Sequence, residues 1–341
     1  MFKKAFSVLL VTLFGCFLTS CAGKAYGTPE PQTTPAQTET KADTVRWPKE
    51  KLTLTSGGIP ELKVYVVDDS VSRAMDIETY VEGVLAGEMK NDWPTEALKA
   101  QAILARTFVL KFIQEKESKY PDADISTDIE EAQAYSASDI NDSIKQAVQN
   151  TQGMVLSYRG ELPYAWFHAH SGGATDIASV GLGWDEKEPG YTICTQGNEP
   201  ESVSADGDAQ ALREAQTWAA EFPLETLESA LADLGVEASL SENTAVSIDQ
   251  RGDSGRAAVL LIDGREVDAA DLRIRLGSTK MRSTLLSTLN IRAGMLRMSG
   301  KGYGHGVGMS QWGAYGMART GRTAEEIIQH YFQDVTIEKL W

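Results

Sequence analysis

The sequence predicts an α+β fold, a helical pair packed on mixed or antiparallel sheet, and three observations carry that expectation. Residues 80–110, YVEGVLAGEMKNDWPTEALKAQAILARTFVL, repeat apolar side chains at helical spacing on both sides of a single break. Short β-branched and aromatic runs, LKVYVV at 62–67, GMVLSY at 153–158, YAWFHAH at 164–170 and AAVLLIDG at 257–264, read as strands. No fixed-period repeat appears, which argues against a solenoid.

With 341 residues, 42% of them apolar, the chain can bury a sizeable core. Three segments are expected: an export signal at 1–20, a flexible tether at 21–50, and one large folded domain at 51–341. Lys3 and Lys4 precede the 16-residue apolar run AFSVLLVTLFGCFLTS, a charged start and short apolar stretch of signal-peptide form. Its end, Leu18-Thr19-Ser20-Cys21, resembles the lipobox of bacterial lipoproteins, which would make Cys21 the lipidated residue. An uncleaved membrane span is the other reading, but a span needs about 20 apolar residues. The Thr/Pro/Gln-rich stretch from 22 to about 45 cannot offset its own ordering entropy and reads as a tether, several nanometres long at about 3 Å per residue.

The full chain carries 32 basic and 48 acidic side chains; loss of Lys3 and Lys4 with the signal leaves 30 against 48, a formal charge of −18. Nucleic acid is therefore excluded as a partner. Cys194 is the thiol left once Cys16 departs and Cys21 is acylated, so no disulfide framework forms within one chain. Residues 196–250 are acidic and mostly helical in pattern, as in DAQALREAQTWAAEF and ETLESALADLG, and are expected to form an acidic helical lobe completing a groove.

Within the helical pair, Asp76 can cap a first helix whose stripe is Ile77, Val81, Val84 and Leu85. Glu88 continues that stripe, about 20° from Ile77 and about 40° from Val84 at 3.6 residues per turn, so it faces the packed side. A carboxylate there has its charged form disfavoured, the state a general acid needs. A helix-end glutamate paired with a cation, with Arg106 as the partner, fits the same periodicity. Trp93-Pro94 breaks the helix. The second helix has the stripe Leu98, Ala102, Ala105, Val109 and Phe112, with Gln101 and Arg106 at its margins; small alanines would bring Gln101 or Arg106 near Glu88.

Strand alternation in YAWFHAH places Tyr164, Trp166, His168 and His170 on one face and Ala165, Phe167 and Ala169 on the other. The first face is expected to be a sugar platform, a half-exposed strand face being the alternative, and the His-x-His spacing also permits a metal. GKGYGHGVGMSQWGAYG at 300–316 lacks the Lys-Ser/Thr of a phosphate loop. Its glycines are expected to bring backbone close to a ligand or to the Glu88 helix, with Tyr303, His305, Ser310 and Gln311 in the same cleft or merely in a packing loop. Thr323-Ala-Glu-Glu326 is a capping box, and the Arg-Gly-Asp at 251–253 is assigned no adhesive role.

YVEGVLAGEM with EALKAQAILARTFVL, FHAHSGGAT (167–175), RGDSGRA (251–257), LRIRLGSTKMRST (272–284) and GKGYGHGVGMSQWGAYGMA (300–318) together resemble the stage II sporulation protein D (SpoIID)/LytB family, from about residue 60 to the C-terminus. The resemblance implies a lytic transglycosylase cleaving the MurNAc–GlcNAc bond of peptidoglycan, with peptide-stripped glycan as preferred substrate and Glu88 as the acid. It also implies an extracytoplasmic protein, here membrane-anchored through its lipid, and an N-acetylmuramoyl-L-alanine amidase as a possible partner. LytB-type members are described as enhancers of such an amidase, which makes a non-catalytic wall-binding module the alternative. Some members hold zinc through Cys and His near His168; the matching cysteines are absent here, so no metal and no cofactor is expected. A conventional hydrolase would require a second carboxylate, for which Asp92 and Asp176 are the candidates.

Overall fold

The helical pair expected at 80–110 is the centre of the larger of two hydrophobic cores. The computed structural model describes residues 45–204 and 206–341; the export signal and Cys21 lie outside the described residues. Strands β1 (Thr53–Leu54), β2 (Pro60–Val66) and β3 (Val71–Asp76) form an antiparallel ladder, and alternation along β2 buries Leu62 and Val64 completely. Asp76 ends β3 and caps α1 (Ile77–Glu88), its Oδ1 accepting from the Thr79 amide at 3.0 Å. After Pro94, α2 (Thr95–Glu115) begins, and Ile77, Val81, Val84 and Leu85 of α1 are fully buried together with Leu98, Ala102, Ala105 and Val109 of α2. The alanines leave no bulk between the two helices, so the backbones close up and each buried Leu or Val contributes about 1.5–3 kcal/mol. Strand β4 (Ile125–Ser126) joins β2 in parallel, α3 (Asp142–Asn150) packs on α1 and α2, and β5 (Met154–Ser157) follows.

The second core is built by residues 217–298. Between β6 (Phe167–His168) and this core lie α4 (Ala178–Gly181) and α5 (Asp206–Gln216). Then come β7 (Thr217–Pro223), α6 (Leu224–Asp233), β8 (Val246–Arg251), β9 (Ala257–Ile262), β10 (Arg265–Asp268), α7 (Ala269–Arg275), β11 (Leu286–Arg292) and β12 (Met295–Lys301). Two antiparallel sheets, ordered β10-β9-β8 and β11-β12-β7, enclose Trp218, Phe222, Leu231, Leu260, Leu272, Leu296 and Met298. The acidic helical lobe is therefore corrected to an α+β lobe. DAQALREAQTWAAEF is not one helix: α5 stops at Gln216, and Trp218 and Phe222 turn inward at strand spacing because β12 pairs with 217–223 along its whole length. Ladder pairing and two buried aromatics outweigh the weak helix preference of Ala219 and Ala220.

The chain then returns to the first core through β13 (Met309–Ser310), which pairs in parallel with β6, then α8 (Gln311–Arg319), α9 (Ala324–Tyr331) and β14 (Thr336–Lys339), which pairs antiparallel with β5. Thr323 and Glu326 form the expected capping box of α9. Helix α5 is held to the first core, where its Leu212 and Ala215 are buried and the Lys90 ammonium meets Asp208 at 2.5 Å.

The segment 164–170 departs from expectation. Only Phe167 and His168 are strand, and Ala165, Trp166, His168, Ala169 and His170 are all buried, so there is no exposed aromatic and imidazole face. Both sides of the segment are covered: the glycine-rich 302–308 stretch lies on it, and α8 packs at its end, where the Trp312 amide donates to the Ala169 carbonyl at 3.0 Å.

Candidate active site

The site is assembled around the last residue of α1. Gly83 and Gly87 are one helical turn apart, and a Cβ on Gly87 would lie 2.6 Å from the Ala134 backbone. Their bareness lets the 132–136 segment lie directly across the helix: the Ser136 amide donates to the Gly83 carbonyl at 2.9 Å and the Ala134 amide donates to Glu88 Oε1 at 2.7 Å. Glu88 is 5% exposed and pairs with no cation among the described residues. Burial raises its carboxyl from 4.5 to about 7, against the pull of hydrogen bonds from Ala134 and the Gln311 side chain. Because Oε1 is occupied by a backbone donor, the acidic proton belongs on the other oxygen. Gln311, the first residue of α8, also donates to Gln101 Oε1 at 3.5 Å, so α2, α8 and the 132–136 segment jointly orient the carboxyl.

Glu88 opens on a cavity of about 20 Å³ lined by Phe167, His168, Ala169, Gln311, Tyr303, Gly304 and His305, with Arg273 and Ser278 of the second core on the far side. His168 donates from Nδ1 to the Val307 carbonyl at 3.2 Å, which leaves its buried Nε2 as an unpartnered lone pair. His305 accepts at Nδ1 from the Val307 amide at 3.1 Å. The rings meet edge to face at 5.5 Å. Burial is the main force holding both below the usual 6.5, His305 at about 3 with the Arg273 and Arg256 cations adding to it, so both imidazoles are neutral. Gly304, at φ +112°, permits the contact with His168, where a Cβ would come within 2.5 Å of the histidine Cβ.

Several expected residues lie elsewhere. Arg106 is fully buried but pairs with Glu78, its Nη2 2.5 Å and its Nε 3.1 Å from the carboxylate, and not with Glu88. The helices run antiparallel, so Arg106 faces the start of α1 and Gln101 faces its end. Trp166 stacks on Tyr164 at 5.0 Å and contacts Trp184 edge-on at 5.4 Å, in a separate recess with Phe108 and Lys111. His170 accepts at Nδ1 from the Gly172 amide and sits 3.7 Å from Glu199. Ser310 caps α8 and donates to Glu199 at 2.7 Å. The glycine-rich stretch approaches the 166–172 backbone and Arg256 rather than the Glu88 helix. The substrate face imagined on 164–170 is thus divided among three places, because that segment is not a regular strand.

Ala134, Arg273, Ser278 and Gly87 were not singled out by sequence. The paired glycines of GVLAGE were the available signal for a crossing segment; Arg273 and Ser278 lie within LRIRLGSTKMRST without distinguishing context. As for a metal, Cys194 is exposed, and no group of three or more His, Cys, Asp or Glu that could hold a metal ion is gathered among the described residues. The donor set does not fit zinc. Neither does a second carboxylate line the cavity: Asp92 is exposed, and Asp176 is held by Ser254 and the Ile177 amide.

The family model described as Stage II sporulation protein matches residues 68–158, which carry α1, α2 and Glu88, and a domain of unknown function, DUF8618, matches residues 202–308, which carry the second core. An uncharacterized protein of Brachyspira hyodysenteriae is 34% identical over 269 residues, 78% of this chain and 68% of the relative. Stage II sporulation protein D of Bacillus amyloliquefaciens is 29% identical over 317 residues, 84% of this chain and 83% of the relative. A Bacillus subtilis protein named amidase enhancer is 27% identical over 291 residues, 75% of this chain and 40% of the relative. The expected helical pair, its buried glutamate and these matches agree: the chain belongs to the stage II sporulation protein D family.

Proposed function

We propose that the chain is a peptidoglycan lytic transglycosylase with Glu88 as its acid and base. The observation that carries this is a carboxyl group buried without a cation, held near neutral by its surroundings and aimed into a cavity free of other carboxylates. As the acid, Glu88 gives its proton to the glycosidic oxygen while the C1–O bond breaks and C1 takes on oxocarbenium character. As the carboxylate, stabilised by the Ala134 and Gln311 donors, it takes the proton of the muramoyl 6-hydroxyl as O6 bonds to C1 and closes the 1,6-anhydro ring. The sugar supplies the nucleophile, so one carboxylate serves both steps, whereas a hydrolase requires two.

A 20 Å³ cavity holds a water rather than a pyranose, so the cavity must widen around Glu88 and Arg273 for a strand to enter. On this reading the protein works outside the cytoplasm, anchored by a lipid on Cys21 with the segment that follows as tether. The expected tether boundary at residue 50 is too late, because Val45 is buried in the first core and the Arg46 amide donates to the Gly160 carbonyl. A second reading, an accessory module for an amidase, is favoured by the name of the Bacillus subtilis relative. Mass spectrometry of fragments released from amidase-stripped sacculi separates them. Anhydro-muramoyl ends released by the wild type and missing with Glu88→Gln support the transglycosylase; reducing ends point to a hydrolase; no release with retained wall binding supports the accessory role.

A further inference from the structure

Among the groups lining the Glu88 cavity, Arg273 alone bears a permanent charge. Both imidazoles are neutral, Glu88 holds its proton up to about pH 7, and Ser278, Tyr303 and Gln311 are uncharged there. Arg273 is 6% exposed, and its Nε donates to the Arg282 carbonyl at 3.2 Å. Among the described residues no carboxylate forms an ion pair with it, and burial, with the Arg256 cation adding to it against the opposing pull of Tyr303, lowers it to about 10. A guanidinium kept without a counter-ion in a chain of net charge −16 is costly, and such a cost is offset when a ligand brings the anion.

The cationic lining continues beyond the cavity. Arg282 lies over the Tyr303 ring at 5.0 Å, and it lines a larger recess of about 640 Å³ together with Arg213, Lys280, Trp218, Glu214 and Glu221. The anion that meets Arg273 must be carried close to the bond Glu88 protonates, because both groups share one small cavity. In a glycan of alternating N-acetylglucosamine and N-acetylmuramic acid, that place is taken by the lactyl ether on the muramoyl ring itself. Its carboxyl is an anion only when no peptide is attached to it; in an intact stem it is a neutral amide, and the peptide's own carboxylates lie farther out.

We infer that Arg273, contributed by the second core, reads the free lactyl carboxylate of the muramoyl residue at the cleaved bond and thereby selects strands without stem peptides. This rests on the glycan-cleaving reading and assigns its specificity to one side chain. A charge-assisted bidentate contact discriminates by about 10- to 100-fold, and Lys, a point charge without the fork, recovers only part of that.

The test uses stripped strands whose lactyl groups are either free acids or converted to methylamides, with binding measured on the Glu88→Gln protein and cleavage on the wild type. Glu88→Gln is expected to bind the acid strands about 10- to 100-fold more tightly than the amidated ones. Adding Arg273→Gln should bring that ratio to about one by weakening binding of the acid strands, with far-UV circular dichroism and the urea midpoint reporting that the variant is folded; Arg273→Lys should give an intermediate ratio. Binding without discrimination, or discrimination that survives Arg273→Gln, overturns the inference and leaves the transglycosylase reading standing. Discriminating binding with no anhydro ends from the wild type overturns the catalytic reading alone, and absence of binding to either strand overturns both.

Discussion

Replacing Glu88 by Gln should stabilise the fold while abolishing turnover, and the stability gain should depend on pH. Gln is nearly isosteric with the protonated acid and keeps an oxygen for the Ala134 amide, so packing and that hydrogen bond persist. The sign follows from proton binding. The folded carboxyl titrates at about 7 and an unfolded one near 4.5, so between these values the folded state holds more protons and loses stability as pH rises. At about 1.4 kcal/mol per tenfold change in acid constant, the wild type gives up roughly 3 kcal/mol by the time pH exceeds 7. Below pH 4.5 it gives up nothing. Urea unfolding of both proteins at pH 5 and pH 8.5 reads the difference directly, with the variant ahead by roughly 3 kcal/mol at the higher pH and by much less at the lower. A variant no more stable than the wild type at pH 8.5 would refute the claim that Glu88 is buried at the expense of its charge.

Other outcomes follow from the same geometry. The kcat/KM for stripped strands should fall about tenfold per pH unit above pH 7 as Glu88 loses its proton, measured by release of anhydro ends; a flat profile to pH 9 would remove Glu88 as the acid. Gly87→Ala places a methyl 2.6 Å from the Ala134 backbone, so the 132–136 segment must lift and the Oε1 donor is lost. Turnover should drop by at least about tenfold and urea stability by about 1–3 kcal/mol; wild-type turnover would show the donor to be dispensable. Arg106→Met leaves Glu78 buried without its partner and should cost about 3–5 kcal/mol in urea, with the activity limb near pH 7 unmoved. A shifted limb would mean that Arg106 acts on Glu88 after all.

Local chemistry decided more of this protein than its global arrangement. The inward face of Glu88, the Asp76 cap, the break at Pro94 and the capping box at Thr323 each depend on neighbours within a few residues, and each was legible in the sequence. The choice between Gln101 and Arg106 as neighbour of Glu88 was legible only in part. Two helices joined by a short break run antiparallel, so the residue nearer the break on α2 meets the end of α1, but periodicity alone treats the two margins as equal. Residues 217–223 read as helix because alanine favours it, and they became strand because β12 lies beside them. The two histidines of YAWFHAH have different partners, His168 on the Glu88 cavity and His170 beside Glu199, because the glycine-rich stretch from 300 onward folds back across that segment. Above all, the meeting of Glu88 with Arg273, 185 positions later in the chain, depends on how two separate cores are set against each other. Helix phase and caps are properties of adjacent residues, whereas the opposite wall of a cavity is set by contacts whose partners are distant in sequence, and no local pattern encodes them.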